Sequence, residues 1–150
     1  MTMNFIPEDP DFRSRVTESF TRQNFMLLIE AQLTRIEPGF CEIRIPYRRD
    51  LTQQHGFFHA GIVGTIADNA SGYAAYSLMA SSSSILTVEF KLNLLAPADG
   101  EMLIARATVL KHGKTLTVCR ADVSIMKGGT EKLCAASQST LIELHEKKDY

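Results

Sequence analysis

Residues 51–79 read LTQQHGFFHAGIVGTIADNASGYAAYSLM, and the rest of the chain is arranged about what this stretch becomes. A polar loop carrying His55, Gly56 and His59 runs without a break into a long helix. Ile62, Ile66, Ala70 and Tyr73 recur at helical spacing as an apolar stripe, with Val63, Ala67 and Ala74 beside it. Gly61, Gly64, Ser71, Gly72 and Ala75 fill much of the remaining surface. Each interior glycine costs about 1 kcal/mol relative to alanine, so the pattern predicts close approach of another backbone or a ligand. Asp68 stands on this small-residue side, one turn from Gly64 and from Gly72. An acid there is either a solvated surface charge or the working group of a site.

Downstream, Leu86, Val88, Phe90, Leu92 and Leu94 alternate with Thr87, Glu89, Lys91 and Asn93, a strand that Pro97 ends. Residues 101–111 and 115–127 are predicted as long strands about the Lys111-His112-Gly113-Lys114 turn. Gly128-Gly129 leads to a last strand over 131–144. Upstream, a short helix is predicted over 12–23, capped by Asp9 or Asp11. Phe12, Val16 and Phe20 lie on its inner face and Arg13, Arg15 and Arg22 off it. Residues 25–36 and 40–46 read as a strand hairpin about Glu37-Pro38-Gly39. The fold class is therefore α+β, one long central helix against an antiparallel sheet. A single domain spans 1–150, with an N-terminal extension and helix over 1–24 and a core over 25–144. Met102, Ile104 and Leu110 against Leu103 and Val109 put apolar residues on both faces, which predicts cover from a second copy and a homo-oligomer.

The charge balance excludes whole classes of partner. A net charge of −1 offers no polybasic field for nucleic acid or an anionic membrane. Cys41, Cys119 and Cys134 are widely spaced in apolar strands, which predicts buried free thiols rather than a disulfide framework or a zinc site. No apolar run is long enough to cross a bilayer and the N-terminus lacks a leader pattern, so a cytoplasmic location is expected. There is no metal-ligand spacing, phosphate loop or dinucleotide fingerprint, and no cofactor is expected.

His59-Ala60-Gly61, followed nine positions after the histidine by Asp68, resembles the HGG…D signature of hotdog-fold acyl-CoA thioesterases of the phenylacetate-degradation type. Gln53-Gln54-His55-Gly56 resembles the family's N-x-x-G segment, and LTVEFKLNLLAPADGEMLIARATVLKHGKTL its strand-turn-strand portion. The similarity covers roughly residues 25–143. Two positions depart from the pattern. Gln53 stands where asparagine is usual, with the amide kept on a longer arm, and Ala60 replaces the first glycine while keeping its backbone N–H. The resemblance implies a hotdog fold in which the sheet wraps the helix, hydrolysis of an acyl-CoA, and a dimer that pairs into a tetramer. It also makes Gln53 a site amide and Thr87 an orienting hydroxyl beside the carboxylate.

The residues make a physical case beside the resemblance. The first N–H groups of a helix are unsatisfied and carry partial positive charge, so the N–H of Ala60 or Gly61 can receive the oxyanion of a thioester. Asp68, the acid within the helix, is the nucleophile or the base that activates water. From Ala60 to Asp68 is about 12 Å of helix at ~1.5 Å per residue, so one chain cannot supply both groups to one carbonyl. They must come from two copies across a two-fold. His59 reads as a residue that orients the helix entrance, while His55 and Gly56 divide between loop support and substrate contact. Phe58 is a core residue that can also line a pocket, and Lys111 and Lys114 are turn charges that could meet coenzyme A phosphates. The alternatives are an acyl-thioester hydratase or dehydratase, with His59 as base and Asp68 assisting, and a non-catalytic acyl-CoA-binding protein.

Overall fold

A computed structural model describes residues 4–147. The chain forms α1 (Phe12–Thr21), α2 (Asn24–Leu28), β1 (Gln32–Glu37), β2 (Phe40–Pro46), α3 (Ala60–Tyr76), β3 (Ser84–Leu94), β4 (Met102–His112), β5 (Leu116–Lys127) and β6 (Thr130–Leu144). The six strands make one antiparallel sheet in the order β1-β2-β4-β5-β6-β3. α3 lies across it. Its Val63, Ile66, Ala67, Ala70 and Ala74 pack on Ile43, Ala105, Ala107, Ala121 and Leu141, and every one of these is at most 2% exposed. Alanines on the sheet let the small-residue helix sit close, and dense packing there offsets its glycines. No helix among the described residues is long and apolar enough to cross a membrane.

The N-terminal segment departs from its sequence reading twice. Residues 24–28 are helical, not the start of a strand. Of the run Phe25-Met26-Leu27-Leu28-Ile29, only Met26 and Ile29 are buried, three residues apart, which is a helical spacing. Glu30, at φ 56, ends the turn and lets β1 begin at Gln32. Arg15 is not turned away from the core. Its Nη2 donates to the carbonyls of Met79 at 2.6 Å and Tyr76 at 3.2 Å, and its guanidinium lies 4.2 Å from the Tyr76 ring centre. A cation at the last carbonyls of α3 complements the helix dipole. Asp9 holds that arginine at 2.8 Å and also accepts the Asp11 N–H at 2.9 Å, while Asp11 caps α1 without a side-chain bond.

The outer sheet face also differs from expectation. Ile104 is 1% exposed because polar neighbours cover it: Arg44 and Ser124 stand beside it in register, and Glu42, Arg106 and Glu131 form an ion cluster next to it. Leu110, Leu116 and Leu133 remain exposed on β4, β5 and β6, at 42% to 46%, and a further apolar surface lies along β3, where Leu86, Val88, Phe90 and Leu94 are each between 46% and 58% exposed. That strand pairs only with β6 among the described residues, so its other edge is open. A long, apolar, unpaired edge invites another strand.

β3 also carries the irregularity that builds the site. Its register with β6 shifts between Thr87 and Glu89, a bulge centred on Val88. Strict alternation places Thr87 opposite in face to Phe90 and Leu92. The extra residue reverses the phase, so Thr87, Phe90 and Leu92 all turn toward α3.

Candidate active site

Asp68 lies at mid-helix on α3, half-buried, and accepts a hydrogen bond from Thr87 Oγ1 at 2.8 Å. Burial pushes its carboxyl above the usual aspartate range, and the Thr87 hydroxyl opposes part of that rise. The result is a carboxylate that is held in place and is more basic than a solvated one, which suits it to taking a proton. On either side of it, one helical turn away, Gly64 and Gly72 leave the helix surface without side chains.

At the helix entrance the structure distinguishes the two candidate amides. His59 is the N-cap, and its Nδ1 accepts the N–H of Gly61 at 2.9 Å. That amide is therefore already paired within the chain. His59 backbone carbonyl accepts the N–H of Ile62 and Val63. The N–H of Ala60, the first helical residue, meets no protein acceptor among the described residues and lies at the positive end of the dipole. Spacing alone could not separate the two amides, because it does not show where the histidine ring turns.

The loop before the helix is tied by Gln53. Its Oε1 accepts the N–H of His55, its backbone N–H donates to Phe57 at 2.9 Å, and its carbonyl accepts from Gly56 at 3.0 Å. Gly56 has φ +82, a conformation that glycine adopts without strain. Gln53, Phe57 and Ala60 line a cleft with Leu94, Leu95 and Pro97. Phe58 reaches its wall but is 3% exposed and packs edge-on against Tyr47 at 5.7 Å, so its main place is the core. His55 is exposed beside Phe57. Lys111 and Lys114 are exposed around the β4–β5 hairpin, whose strands are separated from β3 by β6, and this chain does not bring them to Asp68.

Two clefts meet at Asp68. One, of 350 Å³, runs toward the C-terminal end of α3 between Gln23, Tyr73, Thr87 and Leu141. The other, of 480 Å³, runs toward the N-terminal end between Phe25, Gly64, Phe90 and Leu92. Both fall within the ~300–1,000 Å³ common for small-molecule sites. Gln23, Asn69, Phe25 and Phe90 were not legible as site residues. Asn69 follows Asp68 directly in sequence, but Gln23 and Phe25 come from the distant α1–α2 segment and Phe90 from β3, which no local pattern marks. Cys41, Cys119 and Cys134 are buried free thiols, and burial pushes Cys119 up to about 12 and Cys134 up to about 11, so neither offers a thiolate nucleophile. No group of three or more His, Cys, Asp or Glu that could hold a metal ion gathers among the described residues.

Residues 55–132 match the family model described as the thioesterase superfamily. Acyl-coenzyme A thioesterase 13 of Homo sapiens is 30% identical over 72% of this chain and 76% of its own length. A crystal structure of a thioesterase family protein from Silicibacter pomeroyi superposes with a TM-score of 0.88 at 47% identity, over 89% of this chain and 98% of that one. The PaaI protein of E. coli, from the phenylacetic acid degradation operon, shares the fold at a TM-score of 0.81 and 16% identity, over 91% and 96%. The long helix against a six-stranded antiparallel sheet and the matched segment agree: the chain belongs to the thioesterase superfamily and is a thioester hydrolase of hotdog fold.

Proposed function

We propose that the protein hydrolyses acyl-CoA thioesters to a free acid and coenzyme A at a site shared by two copies of the chain. The observation that carries this is the pairing of a held, basic carboxylate at Asp68 with an unoccupied helix amide at Ala60. Along one α3 the two are about 12 Å apart, too far to act on one carbonyl. Pairing the open β3 edges of two copies about a two-fold would run their α3 helices antiparallel, bringing Asp68 of one to Ala60 of the other. The same pairing would cover Leu86, Val88 and Leu94, so the apolar edge and the divided chemistry ask for the same dimer.

In that site the thioester oxygen accepts the Ala60 N–H as it gains charge. Asp68 takes a proton from water as its oxygen attacks the carbonyl carbon, or attacks that carbon itself and is released by water afterwards. The C–S bond breaks, coenzyme A leaves as thiolate and is protonated, and one water is consumed for each acid formed. Gln53, at the Ala60 end, offers its amide N–H₂ to the carbonyl or the water.

The test is complementation. Asp68→Asn removes the carboxylate. Ala60→Pro removes the oxyanion N–H at a first helical position where proline is tolerated, after a His59 already at ψ 140. Each alone should lose at least ~100-fold in kcat, measured by free-thiol release. Co-refolded, mixed dimers hold one site with both defects and one with none, so about a quarter of all sites should recover. No activity above the parents, despite demonstrated subunit exchange, would overturn the shared site.

A further inference from the structure

Gly64 and Gly72 flank Asp68 one turn away on either side, so the part of α3 that carries the carboxylate has few side chains of its own to fix it. Thr87 grips it from the sheet. A second grip comes from the N-terminal segment. Gln23, in the α1–α2 junction, sends its side-chain amide to two successive turns of α3. Its Oε1 accepts Asn69 Nδ2 at 2.9 Å, and its Nε2 donates to the Tyr73 hydroxyl at 2.5 Å. That hydroxyl shares a 3.1 Å hydrogen bond with Ser19 of α1, and the Tyr73 ring meets Phe20 edge-on at 5.8 Å. Ser19, Phe20 and Tyr73 are all buried, so the clamp is anchored in the core.

The clamp closes on the residue next to the carboxylate. Gln23, Asp68 and Asn69 line the same two clefts. Asn69 Oδ1 is buried and meets no protein donor among the described residues, a cost in stability that an apolar side chain would not carry. Packing alone gives no reason for an amide there. Position does: a reacting group misplaced by about 1 Å can cost on the order of a hundredfold in rate. Thr87 and Gln23 together hold the turn from two directions. The bonds of the clamp all lie within one chain, so it stands before any second copy pairs.

Resting on the thioesterase reading, we infer that Gln23 and Asn69 are positioning residues for the hydrolysis. Through them the α1–α2 junction fixes the rotation of the Asp68 turn and closes that side of the carboxylate to water.

The charged and titratable side chains that line the clefts with Asp68 are Arg22 from the junction and Tyr73 from α3, and β3 presents the Thr87 hydroxyl. In the proposed dimer the second helix entrance adds the partner's His55 and the partner's His59. Substitution at 23 alters none of these. Burial raises the Asp68 carboxyl, so water admitted from the junction should lower it.

Gln23→Met keeps the length of the side chain and removes both hydrogen bonds. With hexanoyl- and phenylacetyl-CoA as substrates and free-thiol release as the assay, kcat should fall about tenfold while KM stays within about twofold. The acid limb of kcat/KM should move to lower pH. Asn69→Ala should act in the same way. The double variant should be no slower than the slower single one, because both substitutions open one clamp. Tyr73→Phe removes one of the two bonds to Gln23 and should give a smaller change in the same directions. All are compared with wild type at equal oligomeric state. A lower Tm with wild-type kcat and an unmoved acid limb would make the clamp a stability element alone and overturn the inference, as would additive losses in the double variant. If Gln23→Met does not fold, Tyr73→Phe decides by the same two readouts. A folded wild-type protein that hydrolyses neither substrate would overturn the thioesterase reading and the inference with it.

Discussion

Thr87→Val tests the carboxylate's environment with little change of shape. Valine replaces the hydroxyl by a methyl on the same branched frame, so β3 and its bulge should persist. What is lost is the 2.8 Å hydrogen bond to Asp68, given by an exposed residue to a half-buried carboxylate. A hydrogen bond to a charged group contributes about 1.5–3 kcal/mol, and the partial exposure of this pair favours the lower end. About 1.4 kcal/mol is a factor of ten, so kcat/KM at neutral pH should fall about tenfold. The pH profile carries the sharper signal. Burial raises the Asp68 carboxyl and the Thr87 bond lowers it, so removing the bond should move the acid limb of kcat/KM to higher pH. Free-thiol release followed from acid to neutral pH on wild type, Thr87→Val and Thr87→Ser measures both effects. Serine keeps the hydroxyl and should restore the limb and most of the rate. A valine variant with an unmoved limb, or a serine variant as impaired as valine, would refute the role of this hydroxyl.

Gln53→Ala should lower kcat more than it raises KM, and Gln53→Asn should be tolerated; an unchanged kcat in the alanine variant would leave Gln53 as the loop tie it forms with His55. Glu42, 6% exposed, offers a stability test away from the site. Burial raises its carboxyl, but hydrogen bonds from Thr34, Arg44 and Arg106 outweigh burial and hold it below the ordinary glutamate value of 4.5. A depressed carboxylate contributes stability that is present above its unfolded pKa and lost as pH falls through the folded one. Glu42→Gln should therefore lower Tm at pH 7, with the gap to wild type closing below 4.5; a gap independent of pH would refute this account.

What the sequence determined is what local periodicity carries. The 3.6-residue stripe from Ile62 to Tyr73, the two-residue alternation of the later strands and the turn at Gly128-Gly129 each record a short-range preference, and each became the expected element. The helix length between Ala60 and Asp68, and with it the case for a divided site, also follows from sequence alone. Short apolar runs carry less. Phe25–Ile29 fits a strand or one helical turn equally well, and burial of only Met26 and Ile29 decided for helix. Alternation in β3 was legible, but the bulge at Val88 was not, because pairing with β6 creates it and the unbroken alternation of the sequence carries no sign of it. That single inserted residue brings Thr87 to Asp68. The tertiary structure likewise turned the His59 ring onto Gly61, leaving Ala60 as the open amide, and joined Gln23 to Asn69 and Tyr73 across about half a hundred residues of chain. Such juxtapositions depend on the whole packed core, and no local pattern encodes them.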